Sequence, residues 1–336
     1  MTFFSIIIPV YNACDTLPVC LQAVQQSDFR DWELIVVDDD STDGSAALAV
    51  EMGARVMRTH GRTGPAHARN LGASVAHGRY LFFLDADCRL HPDTLSRAAR
   101  HLQADPTLDA LFGSYDDTPA APNFISQYKN LFHHYIHQTS RETAVTFWAG
   151  CGAIRRECFL ELGGFDAARY PRPAIEDIEL GYRLTAVGGR IRLAKDVQVT
   201  HLKKWTLASL LRSDIGDRAI PWSRLLHGQT AVPADLNLQK EHRLSAAALA
   251  VFLLSAWHRL VQSRRLNQSR SDKLLSLAAF FSALTLLWLN RDLYQFFRRK
   301  RGWFFALRAI PLHWLYYFYG TAVYLLTAIA SNRSRR

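Results

Sequence analysis

The sequence predicts an α/β protein built on a parallel sheet, followed by C-terminal hydrophobic helices that are transmembrane or membrane-associated. Three observations carry this. Short β-branched apolar runs alternate with stretches of helical periodicity through the first third of the chain, the pattern of βαβ units. Three of those runs stop on polar residues, at PVYN (9–12), VDDDSTD (37–43) and DAD (85–87), and in such sheets ligands collect at the carboxyl ends of strands. From about Leu244 the texture changes to three segments that are apolar all round and separated by Arg-rich stretches.

The elements follow in order. FSIIIPV (4–10) is a continuous apolar run stopped by Pro9 and Asn12, a buried-strand pattern. Asp15 stands where it would cap a helix carrying Leu17, Leu21 and Val24. ELIVVDD (33–39) reads as a second strand, SAALAVEMGA (45–54) as a helix ending at Gly53, and ARVMRT (54–59) as a weaker strand. GPAHARNLGASVAHG (64–78) suits a helix bounded by glycines, and RYLFFLDAD (79–87) a fourth strand. A helix over 91–105 leads to a fifth strand, LDALFGSYD (108–116). NFISQYKNLFHHYIHQ (123–138) looks helical, and 147–166 reads as strand, helix and a turn at Gly163-Gly164. AIEDIELGYRLTAVGGRI (174–191) is a helix opening on Glu176-Asp177, and VQVTHLKKW (197–205) a strand with His201 near its end.

Charge divides the chain. Its formal net charge is +10, yet residues 240–336 hold sixteen Lys/Arg against three Asp/Glu, so residues 1–239 are slightly acidic. A nucleic-acid-binding domain would place its positive face on the folded body, so nucleic acid is not expected as a partner. A basic tail with apolar stretches suits an anionic membrane surface instead. The five cysteines form neither a CxxC pair nor a ligand spacing, which reads as buried thiols in a reducing compartment. The opening MTFFSIIIPVYN has an apolar run too short for a signal peptide and no basic flank, so residues 1–239 are expected in the cytoplasm. Of the apolar segments 244–257, 274–289 and 310–330, the last has the length of a membrane span. Trp314, Tyr316, Tyr317 and Tyr319 would be its interfacial anchors. The first two are borderline.

IIIPVYN (6–12), VVDDDSTDGS (36–45), GPAHARNLGA (64–73), LDADC (84–88) and IEDIELGYRL (175–184), in this order, resemble family 2 glycosyltransferases of the GT-A fold. The resemblance covers roughly residues 3 to 222. It implies a GT-A catalytic domain at 1–239, with a nucleotide-sugar-binding half (1–115) and an acceptor-binding half (116–239). It also implies inverting transfer of a sugar from a UDP- or GDP-linked donor, with Mg²⁺ or Mn²⁺ as cofactor. The basic region 240–336 would hold this domain at the cell membrane, favouring a lipid or lipid-linked acceptor.

The physical chemistry agrees, because a diphosphate leaving group needs its charge neutralised and a hard cation held by carboxylates does this. By resemblance to the DXD motif, Asp87 is the direct metal ligand and Asp85 lies on the nucleotide-sugar side while sharing the metal site. The first two motifs should form the base pocket, with Pro9, Tyr11 and Asn12 against the nucleotide and Asp38 or Asp39 accepting from the base. The third aspartate, Asp40, departs from the family pattern and leaves open which carboxylate reads the base. Ser41, Thr42 and Asp43 read as helix caps, and Arg69 as reaching base or diphosphate. An in-line displacement needs the acceptor proton removed, a task assigned to Asp177 with Glu176 orienting it. His201 is a further candidate metal ligand. His133 and His137 share one helix face, read as an amphipathic surface near the membrane.

Two rivals remain at this level. A processive polysaccharide synthase would carry QxxRW before its channel helices, where this chain has GDRAIPWSRL (216–225). A catalytically inactive nucleotide-sugar binder would have lost a metal or base carboxylate, and none is lost.

Overall fold

The computed structural model describes residues 2–227, 240–262 and 270–334. The segment expected to join the two regions, up to residue 239, lies outside the described residues, as does the basic stretch 263–269. The chain forms two compact units, Met1–Pro221 and Trp222–Arg336.

Unit one is a nine-stranded sheet with helices against it. Its strands are β1 (Phe4–Val10), β2 (Trp32–Asp38), β3 (Arg55–Arg58), β4 (Tyr80–Leu84), β5 (Cys88–Leu90), β6 (Ala110–Tyr115), β7 (Thr143–Ala144), β8 (Cys151–Arg155) and β9 (Ile191–His201). Its helices are α1 (Leu17–Gln25), α2 (Ser45–Glu51), α3 (Pro65–Ser74), α4 (Thr94–Ala104), α5 (Phe124–Thr139), α6 (Arg156–Glu161), α7 (Glu176–Ala186) and α8 (Leu207–Arg212). A π-helical stretch, Ser213–Ala219, leads into α9 (Ile220–His227). The strand order is β3-β2-β1-β4-β8-β6-β9-β5, with β7 on β9.

The parallel sheet expected from the sequence holds for β3, β2, β1 and β4. Beyond them the sheet is mixed, because β8 runs antiparallel between β4 and β6. Alternation of apolar runs reports strands but not their direction, so this insertion was invisible to the pattern. Other boundaries also move. The run expected as one strand to Asp87 breaks at Leu84, where Cys88 N donates to Asp85 O at 3.0 Å and the chain turns into β5. The helix expected to reach 191 stops at Ala186, followed by Gly188 at φ 87°, the left-handed conformation that ends helices. Strand β9 therefore begins six residues earlier than expected.

Close packing fixes the site-bearing strands. β1 is buried along its length except for partial exposure at Pro9, and β4 is buried throughout. Val10 pairs with Asp38 and Ile7 with Phe83, so the polar ends of β1, β2 and β4 lie side by side. Helix α3 rests on β1 and β2 through Gly72, where an added Cβ would stand 2.6 Å from Ile7 Cγ2 and 3.1 Å from Val37 Cγ2. Gly72→Val should therefore destabilise unit one by about 1–3 kcal/mol through overpacking. A urea midpoint equal to the parent's would contradict this packing.

Unit two contains α10 (Lys240–Gln262), α11 (Arg270–Leu289) and α12 (Arg291–Ser334), the last broken at Gly302, φ 84°. Asn290 Nδ2 donates to Ser245 Oγ at 3.0 Å, and Tyr317 Oη donates to Asn290 Oδ1 at 2.8 Å, joining the three helices around Leu249, Leu286 and Tyr317. The expectation for membrane spans is reversed. Among the described residues the two helices long and apolar enough to cross a membrane are Glu241–Val261 and Asp272–Leu289, not the segment 310–330. Tyrosine, tryptophan and histidine dilute the hydropathy of that last segment, and Tyr317 and Tyr319 are buried within the protein.

Candidate active site

The loops after β1 and β2 are cross-linked by their own side chains. Asn12 sits at φ 49°, its Oδ1 accepts Thr42 N at 2.8 Å, and its own N–H donates to Ser41 Oγ at 3.0 Å. Asp43 accepts from Cys14 N at 2.9 Å and Ser45 N at 3.0 Å. Ser41, Thr42 and Asp43 thus tie two loops together, and the expected capping of α2 is corrected: its N-cap is Gly44, with no side-chain cap bond. Helix α1 likewise starts at Thr16 rather than at a capping Asp15.

Asp38 and Asp39 differ sharply. Asp39 accepts from Thr59 Oγ1 (2.9 Å), Thr63 N and Oγ1 (2.8 Å each) and Gly64 N (2.8 Å). Burial raises its pKa, but these donors outweigh burial and hold the carboxyl below its usual range. Asp39 therefore shapes the 59–64 loop, with three donors on Oδ1 and one on Oδ2. Asp38 is also buried, with Ser41 N at 3.3 Å and Arg58 Nε at 3.8 Å. The loop that Asp39 holds brings Arg62 over the half-exposed ring of Tyr11, Cζ 3.9 Å from the centroid. Pro9 is partly exposed on the same strand end.

Asp87 and His201 are brought together by the sheet. Cys88 is registered with His201 in the β5–β9 ladder, and Leu202 N donates to Asp87 O at 2.8 Å. Asp87 Oδ2 and His201 Nε2 lie 3.3 Å apart. Two neighbouring ligands of one octahedral ion with bonds near 2.1 Å lie about 3 Å apart, so this donor pair fits a divalent cation. Among the described residues no group of three or more His, Cys, Asp and Glu side chains forms a metal cluster; Asp85 turns Oδ1 to Arg69 Nη2 at 2.8 Å instead. The two carboxylates are driven apart in pKa. Burial, reinforced by the charge of Asp87, raises Asp85 despite Arg69. Burial also acts on Asp87, but His201 and Lys203 bring it below its usual range. Side-chain exposures of 33% and 26% moderate both shifts.

Arg69 is itself buried and joins this pair to α7, because its Nη1 donates to Glu176 Oε1 at 2.8 Å. Its Nε has no partner. The structure thus gives the expected donor-reaching arginine two carboxylates to hold. Glu176 Oε2 accepts Ala174 N at 3.0 Å, so Glu176 is fixed at both oxygens. Asp177 Oδ2 accepts Ala149 N at 3.1 Å. Burial, then the neighbouring charge of Glu176, pushes the Asp177 pKa up to about 6. One backbone segment serves both ends of the site: Asp85 N donates to Gly150 O at 3.2 Å, next to the Ala149 amide that holds Asp177.

Sequence reasoning passed over Trp148–Gly150, Asn130 and Tyr115. The first was read only as strand, and the other two look like ordinary helix and strand residues. It also misplaced His133 and His137. His137 is buried, its Nδ1 is 2.9 Å from Gly113 O, and burial pushes its pKa down to about 4. His133 packs between Tyr115, Trp148 and His137 with ring centroids 4.0–4.9 Å away. The face expected near a membrane is turned to β6, because a 3.6-residue period marks a face without saying what covers it.

Residues 5–163 match the sequence profile Glycosyl transferase family 2. That segment is a family 2 glycosyltransferase domain. It contains Asp38, Asp39, Arg69, Asp85 and Asp87, and it ends before Asp177 and His201. A PGL/p-HBAD biosynthesis glycosyltransferase of Mycobacterium bovis is 37% identical over 117 residues, 33% of this chain and 45% of its own length. Glycosyltransferase GlyG of Streptococcus pneumoniae is 29% identical over 116 residues, 33% of this chain and 38% of its own. The chain therefore spans less than half the length of either relative.

Two solved structures share the fold. A mannosyltransferase from Pyrobaculum calidifontis, in complex with GDP-Man and Mn²⁺, aligns with TM-score 0.58 and 21% identity over 85% of this chain and 87% of that one. S. aureus TarS 1-349 with UDP-GlcNAc gives 0.52 and 18% over 88% and 81%. The family 2 domain thus sits in the GT-A-type α/β architecture that its sequence predicted.

Proposed function

We propose that this protein is an inverting, metal-dependent glycosyltransferase acting on a nucleotide-diphospho-sugar and a lipid, lipid-linked or other membrane-proximal acceptor. The observation that carries the reading is the joining of Asp85–Asp87 and Asp177 through Trp148–Gly150 and Arg69. Asp87 and His201 would hold Mg²⁺ or Mn²⁺, with Asp85 beside them; the bound ion neutralises the diphosphate as it leaves. Pro9, Tyr11 and Asn12 line the nucleotide side, with Asp38 or the less engaged Oδ2 of Asp39 facing the base. Arg69 keeps Asp85 and Glu176 charged and in place. Asp177, with a pKa near 6, is ionised at neutral pH yet basic enough to take the acceptor proton. The solved proteins of the same fold hold GDP- and UDP-sugars, so the donor class is a nucleotide-diphospho-sugar of either base.

The exposed apolar residues of α10 and α11, among them Leu254, Trp257, Leu274, Phe281 and Trp288, support membrane attachment with the catalytic unit on the cytoplasmic side. Purified full-length protein should be offered a panel of nucleotide sugars with membrane extract, reading nucleotide release and lipid-soluble product by mass. One donor giving metal-dependent release and a lipid-soluble product is expected; release from none would overturn the reading. Truncation after Gln239 should keep donor hydrolysis and lose transfer to lipid. Undiminished lipid transfer would refute the role given to the tail.

A further inference from the structure

The family 2 match stops before His201, and what holds that histidine lies on α5. Three polar residues spaced i, i+3 and i+7 on this helix grip the chain from 201 to 205. Asn123 Nδ2 donates to Trp205 O at 2.7 Å, Ser126 Oγ accepts Trp205 N at 2.7 Å, and Asn130 Oδ1 lies 2.6 Å from His201 Nδ1. Asn130 and Ser126 are 0% exposed and His201 is 3% exposed. Tyr115 stacks flat on the imidazole, centroids 4.3 Å apart at 11°, so the ring cannot turn without repacking.

The orientation of the Asn130 amide is decided by its other end. Its Nδ2 donates to Ser126 O at 2.9 Å, and a carbonyl oxygen only accepts. Oδ1 must then face His201, and since Oδ1 only accepts, the proton sits on Nδ1. That leaves Nε2 aimed at Asp87 Oδ2, 3.3 Å away. An imidazole lone pair facing a carboxylate repels it unless a cation lies against both. The outward partner of a metal-binding histidine fixes its tautomer in this way.

We propose that Asn130 is a positioning residue: it locks His201 in the Nδ1–H tautomer, so that Nε2 and Asp87 present a ready-made two-donor seat for the divalent ion. This rests on the reading of His201 as a metal ligand. It adds that the seat is built from α5, an element outside every motif of the domain, before any donor arrives.

The test is Mn²⁺ titration of the full-length protein, without nucleotide, with free ion read by electron paramagnetic resonance. The variants are Asn130→Leu, Asn130→Ala, Asn130→Asp and His201→Ala, with fold checked by circular dichroism. Asn130→Leu and Asn130→Ala should weaken Mn²⁺ binding about 10–100-fold. Asn130→Asp, which still accepts from Nδ1–H, should bind at least as tightly as the parent. Nitrogen-15 histidine spectra with Mg²⁺ should show the Nδ1–H form in the parent and lose it in the folded Leu or Ala variant. If His201→Ala leaves Mn²⁺ affinity unchanged, the ligand reading fails. If His201→Ala weakens binding while folded Asn130→Leu or Asn130→Ala keeps the parent's affinity, the ligand stands and the Asn130 proposal is overturned. Loss of binding in Asn130→Asp equal to that in Asn130→Ala would overturn it too.

Discussion

Asp87→Ala is expected to lower metal-dependent donor turnover by about three orders of magnitude, the scale on which a lost transition-state charge partner is felt. Its circular dichroism should match the parent's. Asp87 is anchored through its backbone, by the Leu202 N–H on Asp87 O and the adjoining β5–β9 ladder, so removing the carboxylate leaves the scaffold in place. Only the partner of His201 Nε2 is lost. Nucleotide release measured across a Mn²⁺ series checks this, and parent-like turnover would refute Asp87 as a metal ligand.

Asp177→Asn should abolish transfer and stabilise the protein. The folded pKa of Asp177 is raised to about 6 from 3.8, so ionising the group disfavours the folded state. The sign follows from linkage. Below about pH 4 the carboxyl is protonated in both states and the substitution changes little. As pH rises through 6 the parent loses up to about 3 kcal/mol, at 1.36 kcal/mol per unit, and partial exposure of Asp177 reduces that figure. Thermal melts at pH 7.5 should therefore show the Asn variant several degrees higher, with the gap closing toward pH 4. A variant melting below the parent at pH 7.5 would contradict the account. In the parent, turnover should rise with pH through about 6 as Asp177 loses its proton.

How much of this was legible depends on what each signal encodes. The runs at 4–10, 33–39 and 79–84 could be read because a strand buried on both faces is a continuous apolar run. Their polar ends marked one edge of the sheet. The direction of β8 could not be read, since it depends on which neighbours a strand finds. Asp85, Asp87, Glu176 and Asp177 stood out as charges at element ends. Asn130 did not, because an asparagine inside an aromatic helix looks the same whether it faces solvent or a buried imidazole. The loops after β1 and β2 were seen as binding residues, and only the structure shows Asn12, Asp39 and Asp43 holding one another's backbone. The membrane expectation failed at its strongest segment for a related reason: an aromatic anchor and a buried aromatic contact share one composition.

The most direct measurement is the anomeric configuration of the product formed from an α-linked nucleotide sugar, read from the one-bond carbon–proton coupling at C1. A single in-line displacement, with the metal side at Asp87 and the base side at Asp177, predicts a β-linked product. An α-linked product would contradict the arrangement at its centre.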